Sequence, residues 1–225
     1  MTRAAELVRQ TRETKVRVRL DLDGSGHASV ATGVGFFDHL LASLAHHALF
    51  DLEVEVTGDL EVDDHHTVED TALVLGQALA KALGDREGIA RFGDATVPMD
   101  ESLATAAVDA GGRPYSLVDV AFRTERIGHL TTQNIPHALE AMADAAGLTV
   151  HLRASGLNDH HLAEAAFKAL ARALRAAVAI DPRRKGVAST SGTTSGVTPR
   201  NTGTTSGVTP RNTGTTSGVT PGGGP

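Results

Sequence analysis

The amino-acid sequence predicts an α+β fold built from two duplicated halves. The motif Asp-His-His-x-x-Glu occurs at residues 64–69 and again at residues 159–164, an offset of 159 − 64 = 95 positions. Each copy opens a run with apolar residues every three or four positions, typical of a helix with one buried face. Alternating apolar and polar runs elsewhere in both halves are typical of half-buried strands. We therefore expect two β-β-α-β-α halves, related by a pseudo-twofold axis, each a four-stranded sheet with helices on one face.

The elements of the first half follow from these patterns in chain order. Strands are predicted at residues 16–20, 27–31 and 52–56. A helix begins near Phe37-Asp38-His39, and a second helix carries the apolar stripe Val68, Ala72, Leu75, Leu79 and Leu83.

The second half repeats this arrangement, with strands predicted at residues 103–108, 116–122 and 148–152. Ile135-Pro136-His137 opens a helix, and Pro136 suits its first turn. The last helix carries the stripe Ala163, Phe167, Leu170, Leu174 and Val178. In both halves a short glycine turn, at residues 23–26 and 111–112, predicts antiparallel pairing of the strands that it joins.

We expect the chain to divide into one domain, with halves at residues 1–93 and 94–186, and a tail at residues 187–225. The tail repeats the 11-residue unit TTSGVTPRNTG, which contains almost no apolar side chains. Such a segment cannot bury enough surface to offset the entropy lost on ordering, so we expect disorder. Its proline and glycines exclude the right-handed coiled coil that an 11-residue period otherwise allows.

Composition excludes several classes of protein. With 21 basic and 27 acidic residues the net charge is −6, which argues against a nucleic-acid-binding surface. The absence of cysteine excludes disulfides, thiolate metal sites and cysteine nucleophiles. No apolar run reaches the length of a membrane span, and the N-terminus lacks a signal peptide's apolar core. We therefore expect a cytoplasmic protein.

The 11 histidines point to metal binding. His65 and Glu69 lie four residues apart, as do His160 and Glu164, so each pair shares one helix face. Neighbouring histidines on a helix diverge by about 100°, so the adjacent pairs His65-His66 and His160-His161 are suited to two different ions. The paired upstream histidines complete a set of six histidines and two glutamates, four ligands for each of two ions: His39, His65, His66, Glu69, His137, His160, His161 and Glu164.

Other histidines and acids lack this duplication. Asp70 follows His66 by four residues, but its counterpart is Ala165, so we leave Asp70 out of the ligand set. His46 and His47 are interpreted as helix surface, and His27, His129 and His151 as structural residues. Imidazole and carboxylate ligands favour Mn, Fe, Zn or Ni without choosing among them, and an octahedral ion would keep positions open for substrate.

The sequence resembles the imidazoleglycerol-phosphate dehydratase family of histidine biosynthesis. The matching segments lie at residues 9–14, 32–39, 64–70, 91–94, 98–101, 112–115 and 158–167. The resemblance implies a duplicated α+β fold, two Mn²⁺ ions per active site and a 24-subunit shell with sites shared between subunits. It groups His39, His66, His160 and Glu164 around one ion, and His65, Glu69, His137 and His161 around the other.

The resemblance also implies roles in substrate binding and catalysis. Glu13 would bind substrate and is the best candidate for the proton shuttle, and the ligand carboxylates Glu69 and Glu164 complete the catalytic set. Arg91 and Arg113 would hold the substrate phosphate, because guanidinium groups match its geometry. The hydroxyls of Ser189 and Thr190 would assist them. The family has a phosphate-binding lysine where this chain has Ser191, so we expect a weakened phosphate pocket.

The activity implied is conversion of imidazole glycerol phosphate to imidazole acetol phosphate by a hydro-lyase, through an imidazolate held between two metal ions. Two other functions fit the ligand set. A dinuclear metallohydrolase would need ions about 3.5–4 Å apart, whereas diverging histidine pairs favour a wider separation. A metal-dependent assembly or storage protein would use the ligands only to join subunits.

Overall fold

The computed structural model describes residues 3–190, which form four helices and two four-stranded sheets, with one small extra hairpin. The first half comprises β1 (Ala4–Gln10), β2 (Thr14–Asp21), β3 (Ala28–Ala31), α1 (Gly35–Ala48), β4 (Asp51–Gly58) and α2 (His65–Leu83). The second comprises β5 (Phe92–Met99), β6 (Ser102–Asp109), β7 (Tyr115–Val120), β8 (Arg126–Ile127), β9 (Leu130–Thr131), α3 (Asn134–Ala146), β10 (Thr149–Ser155) and α4 (Asp159–Val178).

The two sheets have the same topology, with strand orders β1-β2-β4-β3 and β5-β6-β10-β7. In both, the third strand pairs in parallel with the strand that follows the next helix, and the other pairs are antiparallel. The duplicated α+β fold with four-stranded sheets is therefore confirmed. Each four-stranded sheet contains one more strand than the predicted β-β-α-β-α order supplies, because β1 and β5 add an edge strand. The second half also contains the small hairpin of β8 and β9.

The antiparallel pairing predicted across the glycine turns is wrong. β4 lies between β2 and β3, and β10 lies between β6 and β7. In the first half the turn is held by Asp51 of β4, whose Oδ1 accepts the backbone N–H of Ser25 at 2.8 Å and of His27 at 2.9 Å. The turn thus docks on the inserted strand instead of closing a hairpin.

The four helices form a layer between the two sheets. α1 and α2 cover the first sheet, and α3 and α4 cover the second. Helices of different halves also contact each other, α1 against α4 and α2 against α3, so the two halves share a single core. Both predicted apolar stripes are buried there: Val68, Ala72, Leu75, Leu79, Leu83, Ala163, Phe167, Leu170, Leu174 and Val178.

The two predicted domain boundaries, between residues 93 and 94 and between residues 186 and 187, can be compared with the described elements. β5 begins at Phe92, so this strand crosses the predicted boundary between residues 93 and 94. Of the predicted tail, residues 187–190 are described, whereas residues 191–225 lie outside the described part of the chain. No helix within residues 3–190 is long and apolar enough to cross a membrane.

Close approach of α2 to α3 requires a glycine. A Cβ placed on Gly76 would overlap the carbonyl oxygen of Met142 and lie 2.8 Å from the Cβ of Ala145. We predict that Gly76→Ala lowers the free energy of unfolding by about 1–3 kcal/mol through overpacking, although alanine is the better helix former. Urea denaturation measures this loss.

Gly35→Ala is the matched control, because a Cβ at Gly35 meets nothing within 4 Å. We expect its unfolding midpoint to stay close to that of the parent protein. A Gly76→Ala protein as stable as Gly35→Ala would show that the helix contact tolerates the extra methyl group.

Candidate metal centre

The first cluster of metal-ligand side chains joins α1 to α4. His39 Nε2 lies 2.8 Å from Glu164 Oε1, and His160 Nε2 lies 2.9 Å from the same oxygen. All three residues lie in the first two turns of their helices, and Glu164 is buried. The ligand atoms lie within 4.8 Å of one another, as binding to one ion requires.

The second cluster joins α2 to α3. Glu69 Oε1 lies 3.1 Å from His137 Nε2, and Glu69 Oε2 lies 3.7 Å from His65 Nε2. The His65 and His137 rings stack with their centroids 5.2 Å apart. His65 Nδ1 lies 3.1 Å from Asn134 Oδ1, which leaves Nε2 directed at the cluster.

The two clusters are related by the pseudo-twofold repeat, and each one combines both halves of the chain. In each, the His-x-x-x-Glu pair comes from the second helix of one half, and the remaining histidine comes from the first helix of the other. Two imidazoles and one carboxylate per cluster form a donor set that suits Mn²⁺, Fe²⁺ or Zn²⁺. These residues therefore fit the divalent ions that the sequence suggests.

The fourth ligand expected at each ion, His66 for the first cluster and His161 for the second, does not lie in that cluster of this chain. His66 Nδ1 lies 3.0 Å from Asp59 Oδ2, and its Nε2 lies 4.0 Å from Glu13 Oε2. His161 Nδ1 lies 3.0 Å from Glu101 Oε2. The adjacent histidines diverge, as the helical geometry predicts, with 5.9 Å between the ring centroids of His65 and His66.

Two carboxylates near the clusters, those of Glu164 and Glu101, are held in the ionised form. Burial by itself would raise the pKa of Glu164, but hydrogen bonds from Lys168 and His39 and the Lys168 charge lower it to about 2. Hydrogen bonds from His161 and the backbone N–H of Asn158 likewise lower the pKa of Glu101 to about 2. Ionised carboxylates accept hydrogen bonds and bind cations without first losing a proton.

Lys168 is a residue of this site that the sequence analysis missed. Its Nζ lies 2.6 Å from Glu164 Oε2, and the first half has Leu73 at the matching position. The Glu164-x-x-x-Lys168 spacing on a helix was the available signal. His47 is half-buried, and burial, then the charges of His46, Lys168 and Arg172, lower its pKa. His47 therefore lies near α4, the helix that carries Lys168 and Arg172, and is not fully exposed on the helix surface.

The other histidines lie outside these clusters. His46 is exposed and meets the His47 ring edge-on. His27 belongs to the turn held by Asp51, and His151 packs beside Tyr115. Within the described chain, His27, His129 and His151 belong to none of the groups that could hold an ion.

The residues expected to bind phosphate lie at the opposite end of the helix layer from the first cluster. Arg91 forms an ion pair with Asp109 at 2.6 Å and donates to the carbonyl oxygen of Ala188, next to Ser189 and Thr190. Its backbone N–H donates to Ala177, near the end of α4. At 1.5 Å per residue, Ala177 lies about 25 Å along the helix from His160.

Arg113 is exposed in the turn before β7, where its carbonyl oxygen accepts a hydrogen bond from Thr149. The structure thus brings Arg91 next to Ser189 and Thr190 and separates them from the first cluster of the same chain. Ser191, the expected departure from the family pattern, lies outside the described residues.

The aspartates of the repeated motif hold the backbone and are not part of the ligand clusters. Asp64 accepts from the backbone N–H and the hydroxyl of Thr131, both at 2.6 Å. Asp159 Oδ2 accepts from the N–H groups of Arg123 and Thr124 and from the Thr124 hydroxyl. Both anchor the segment between β7 and α3. Asp70 is buried against Thr14 and Arg9, away from both clusters.

Comparison with known proteins decides the family. The family model for imidazoleglycerol-phosphate dehydratase matches residues 32–174. The chain is 54% identical to the imidazoleglycerol-phosphate dehydratase of Azorhizobium caulinodans over 196 residues, covering 86% of this chain and 100% of that relative. This chain belongs to the imidazoleglycerol-phosphate dehydratase family.

Other members support the same placement. The Methanothermobacter thermautotrophicus imidazoleglycerol-phosphate dehydratase is 55% identical over 182 residues, covering 79% of this chain and 94% of the relative. The crystal structure of the Staphylococcus aureus enzyme superposes with a TM-score of 0.72 at 33% identity, covering 79% of this chain and 99% of the other. Dehydratases are hydro-lyases, so the predicted enzyme class is confirmed, and the metallohydrolase and storage interpretations are set aside.

The Asp159 anchor generates a prediction about stability. Burial by itself would raise the pKa of Asp159, but hydrogen bonds from Thr124 and Arg123 hold it below its usual value. We predict that Asp159→Ala lowers the free energy of unfolding by about 1–3 kcal/mol at pH 7, because three donors lose their acceptor. Urea denaturation at pH 7 and at acid pH measures the difference.

The pH dependence has a definite sign. A depressed folded-state pKa stabilises the fold above the unfolded value of about 3.9, and this stabilisation is lost as the pH falls through the folded-state pKa. The difference in the free energy of unfolding between the parent and Asp159→Ala should therefore shrink below about pH 4. The control is Asp119→Ala at an exposed carboxylate, which should stay within about 0.5 kcal/mol of the parent. Equal stability of Asp159→Ala and the parent at pH 7 would show that the anchor contributes nothing.

Proposed function

We propose that this enzyme dehydrates imidazole glycerol phosphate to imidazole acetol phosphate, a step of histidine biosynthesis, with two Mn²⁺ ions per active site. The observation that carries the proposal is the pair of pseudo-symmetric clusters, each with two imidazoles and one carboxylate. Membership of the dehydratase family supplies the reaction class and the substrate of the relatives.

The reaction breaks two bonds and releases one molecule of water. The substrate loses a hydroxyl from the carbon beside its imidazole ring and a proton from the next carbon of its chain. The resulting enol gains a proton on the carbon beside the ring, loses the proton of its hydroxyl group and becomes the ketone. The proton that is removed has no neighbouring carbonyl to acidify it, so the ring must carry negative charge as the bonds change. Divalent ions bound at the two clusters would act as Lewis acids that stabilise this charge.

Glu13 is proposed as the proton shuttle. Its side chain is exposed in the turn between β1 and β2, 4.0 Å from His66, and its carboxylate has no hydrogen-bond partner among residues 3–190. A carboxylate without such bonds is available to take a proton from the substrate chain and return one to the departing hydroxyl. Glu69 and Glu164 serve instead as ligands, since both lie against two histidines.

The substrate phosphate is proposed to bind Arg91, Arg113, Ser189 and Thr190. The Arg91 guanidinium is already ion-paired with Asp109, which orients it for a charge-assisted contact beside Ser189. Lys168 is a further cation near the first cluster, so an anionic group bound there would meet positive charge.

The complete active site is proposed to form between copies of the chain. Arg91 lies about 25 Å along α4 from His160, farther than one small substrate can reach. His66 and His161 point away from the clusters of their own chain and are available to clusters of neighbouring copies. The family resemblance suggests a 24-subunit shell, and the cytoplasmic location stays a prediction from the sequence.

Incubation with imidazole glycerol phosphate and Mn²⁺ tests the activity. We expect imidazole acetol phosphate to form, to stop forming after chelation and to form again when Mn²⁺ is restored. Chromatography with mass detection identifies the product through its loss of one water molecule. Absence of this product from a metal-loaded, assembled protein would overturn the proposal.

Variants of single histidines test the ligand assignment. We predict that His65→Ala and His160→Ala each lose bound Mn²⁺ and turnover, because each removes one imidazole from a cluster. His46→Ala is the control, since His46 is exposed and outside both clusters. Elemental analysis of the purified proteins gives the Mn²⁺ stoichiometry. Unchanged stoichiometry in His160→Ala would defeat the assignment.

A further inference from the structure

Glu13 and Glu101 occupy equivalent positions in the two halves. Each lies in the turn between the first two strands of its sheet, directly before Thr14 of β2 or Ser102 of β6, and both of those residues are buried. Each glutamate also approaches the second histidine of the repeated motif. Glu13 Oε2 lies 4.0 Å from Nε2 of His66, and Glu101 Oε2 lies 3.0 Å from Nδ1 of His161.

The two glutamates differ in how firmly they are held. Glu101 Oε2 lies 3.0 Å from Nδ1 of His161. Its Oε1 accepts the backbone N–H of Asn158 at 2.8 Å and of Leu157 at 3.3 Å, and the Ser102 hydroxyl at 3.1 Å. The Glu101 carboxylate therefore has a fixed orientation, whereas that of Glu13 has no hydrogen-bond partner among residues 3–190.

The first half supplies a different carboxylate to its histidine. Asp59 Oδ2 lies 3.0 Å from Nδ1 of His66, which is the contact that Glu101 makes with His161. Asp59 belongs to the connection between β4 and α2, which spans residues 59–64. The corresponding connection between β10 and α4 spans only residues 156–158.

The shorter connection leaves no place for an acid like Asp59. A Cβ on Gly156 would overlap the Ser102 hydroxyl. Leu157 and Asn158 donate their backbone N–H groups to Glu101, and the Asn158 side chain accepts the N–H of His160 at the start of α4. In the second half the glutamate of the strand turn is thus the acid that reaches the histidine.

We propose that Glu101 is a positioning residue that sets the tautomer of His161, and that Asp59 does the same for His66 and so leaves Glu13 free. An ionised carboxylate only accepts hydrogen bonds, so Nδ1 of His161 carries the proton and Nε2 presents its lone pair. Such outer carboxylates orient histidine ligands and strengthen metal binding. This inference rests on the proposed function, because it requires His161 and His66 to be metal ligands.

Glu101→Gln tests the inference. The N–H groups of Leu157 and Asn158 can only donate, so the glutamine carbonyl oxygen turns to them and its NH₂ group faces Nδ1 of His161. The ring then accepts at Nδ1 and carries its proton on Nε2, where it blocks a metal. We expect one class of Mn²⁺ site to weaken about 10- to 100-fold. Titration of the assembled protein, with free Mn²⁺ measured by electron paramagnetic resonance, reports this loss.

Asp100→Asn is the matched control. Asp100 Oδ2 lies 3.7 Å from the same Nδ1, so its replacement removes an equal charge at the same ring and leaves Glu101 in place. We expect its Mn²⁺ affinity to stay within about twofold of the parent, well below the loss for an outer-ligand change. Equal weakening in Asp100→Asn and Glu101→Gln would show a charge effect and overturn the inference.

Two more variants separate the roles of the equivalent glutamates. Glu13→Gln should keep full Mn²⁺ affinity and lower kcat, whereas Asp59→Ala should weaken Mn²⁺ as Glu101→Gln does. Asp59→Ala also gives an independent result if Glu101→Gln fails to assemble.

The result for the parent protein separates the two proposals. If the parent binds Mn²⁺ tightly and the Glu101→Gln protein binds Mn²⁺ with the same affinity, this inference is overturned and the proposed function stays intact. Failure of the parent itself to bind Mn²⁺ overturns the proposed function.

Discussion

The helical repeat is the constraint on which the site depends. Residues four apart share a face of a helix, so His160 reaches Glu164 on α4 and His65 reaches Glu69 on α2. The neighbouring histidines point about 100° away and cannot join the same cluster. Contact between helices of opposite halves then adds His39 or His137 to each cluster. One chain therefore brings three candidate ligands together in each cluster, and the proposed fourth ligand lies outside it.

Duplication gave the two halves the same frame, and small changes then gave them different chemistry. Lys168 neutralises the buried Glu164, whereas Leu73 holds the matching position beside the more exposed Glu69. Three additional residues before α2 bring Asp59 to His66. The shorter connection before α4 leaves that contact to Glu101. Within residues 3–190, the Glu101 carboxylate is therefore hydrogen-bonded to its histidine, whereas the Glu13 carboxylate has no hydrogen-bond partner, as its proposed role in proton transfer requires.

The sequence predicted the parts of the fold that leave a repeated pattern. The duplicated motif and the apolar stripes identified both halves and the four helices, and alternating runs identified three strands of each four-stranded sheet. Strand order was not predictable in the same way, because it depends on contacts between residues distant in sequence. Asp51 of β4, for example, accepts hydrogen bonds from Ser25 and His27 in the turn after β2. The edge strand β1 lacks a clear alternating pattern in its sequence, since Val8 is exposed and Arg9 is half-buried. The edge strand β5 alternates but contains Pro98, which an edge strand tolerates. Lys168 was missed because it is present in one half only.

A working site is proposed to combine residues from more than one copy of the chain. Coexpression of two variants that are each expected to be inactive, Arg91→Ala and His160→Ala, followed by isolation of mixed assemblies, tests this sharing. If sites are shared, some of them receive an intact Arg91 from one chain and an intact His160 from another, and dehydration returns to a fraction of the parent rate. Activity of the mixed assemblies no higher than that of either variant alone would contradict the claim.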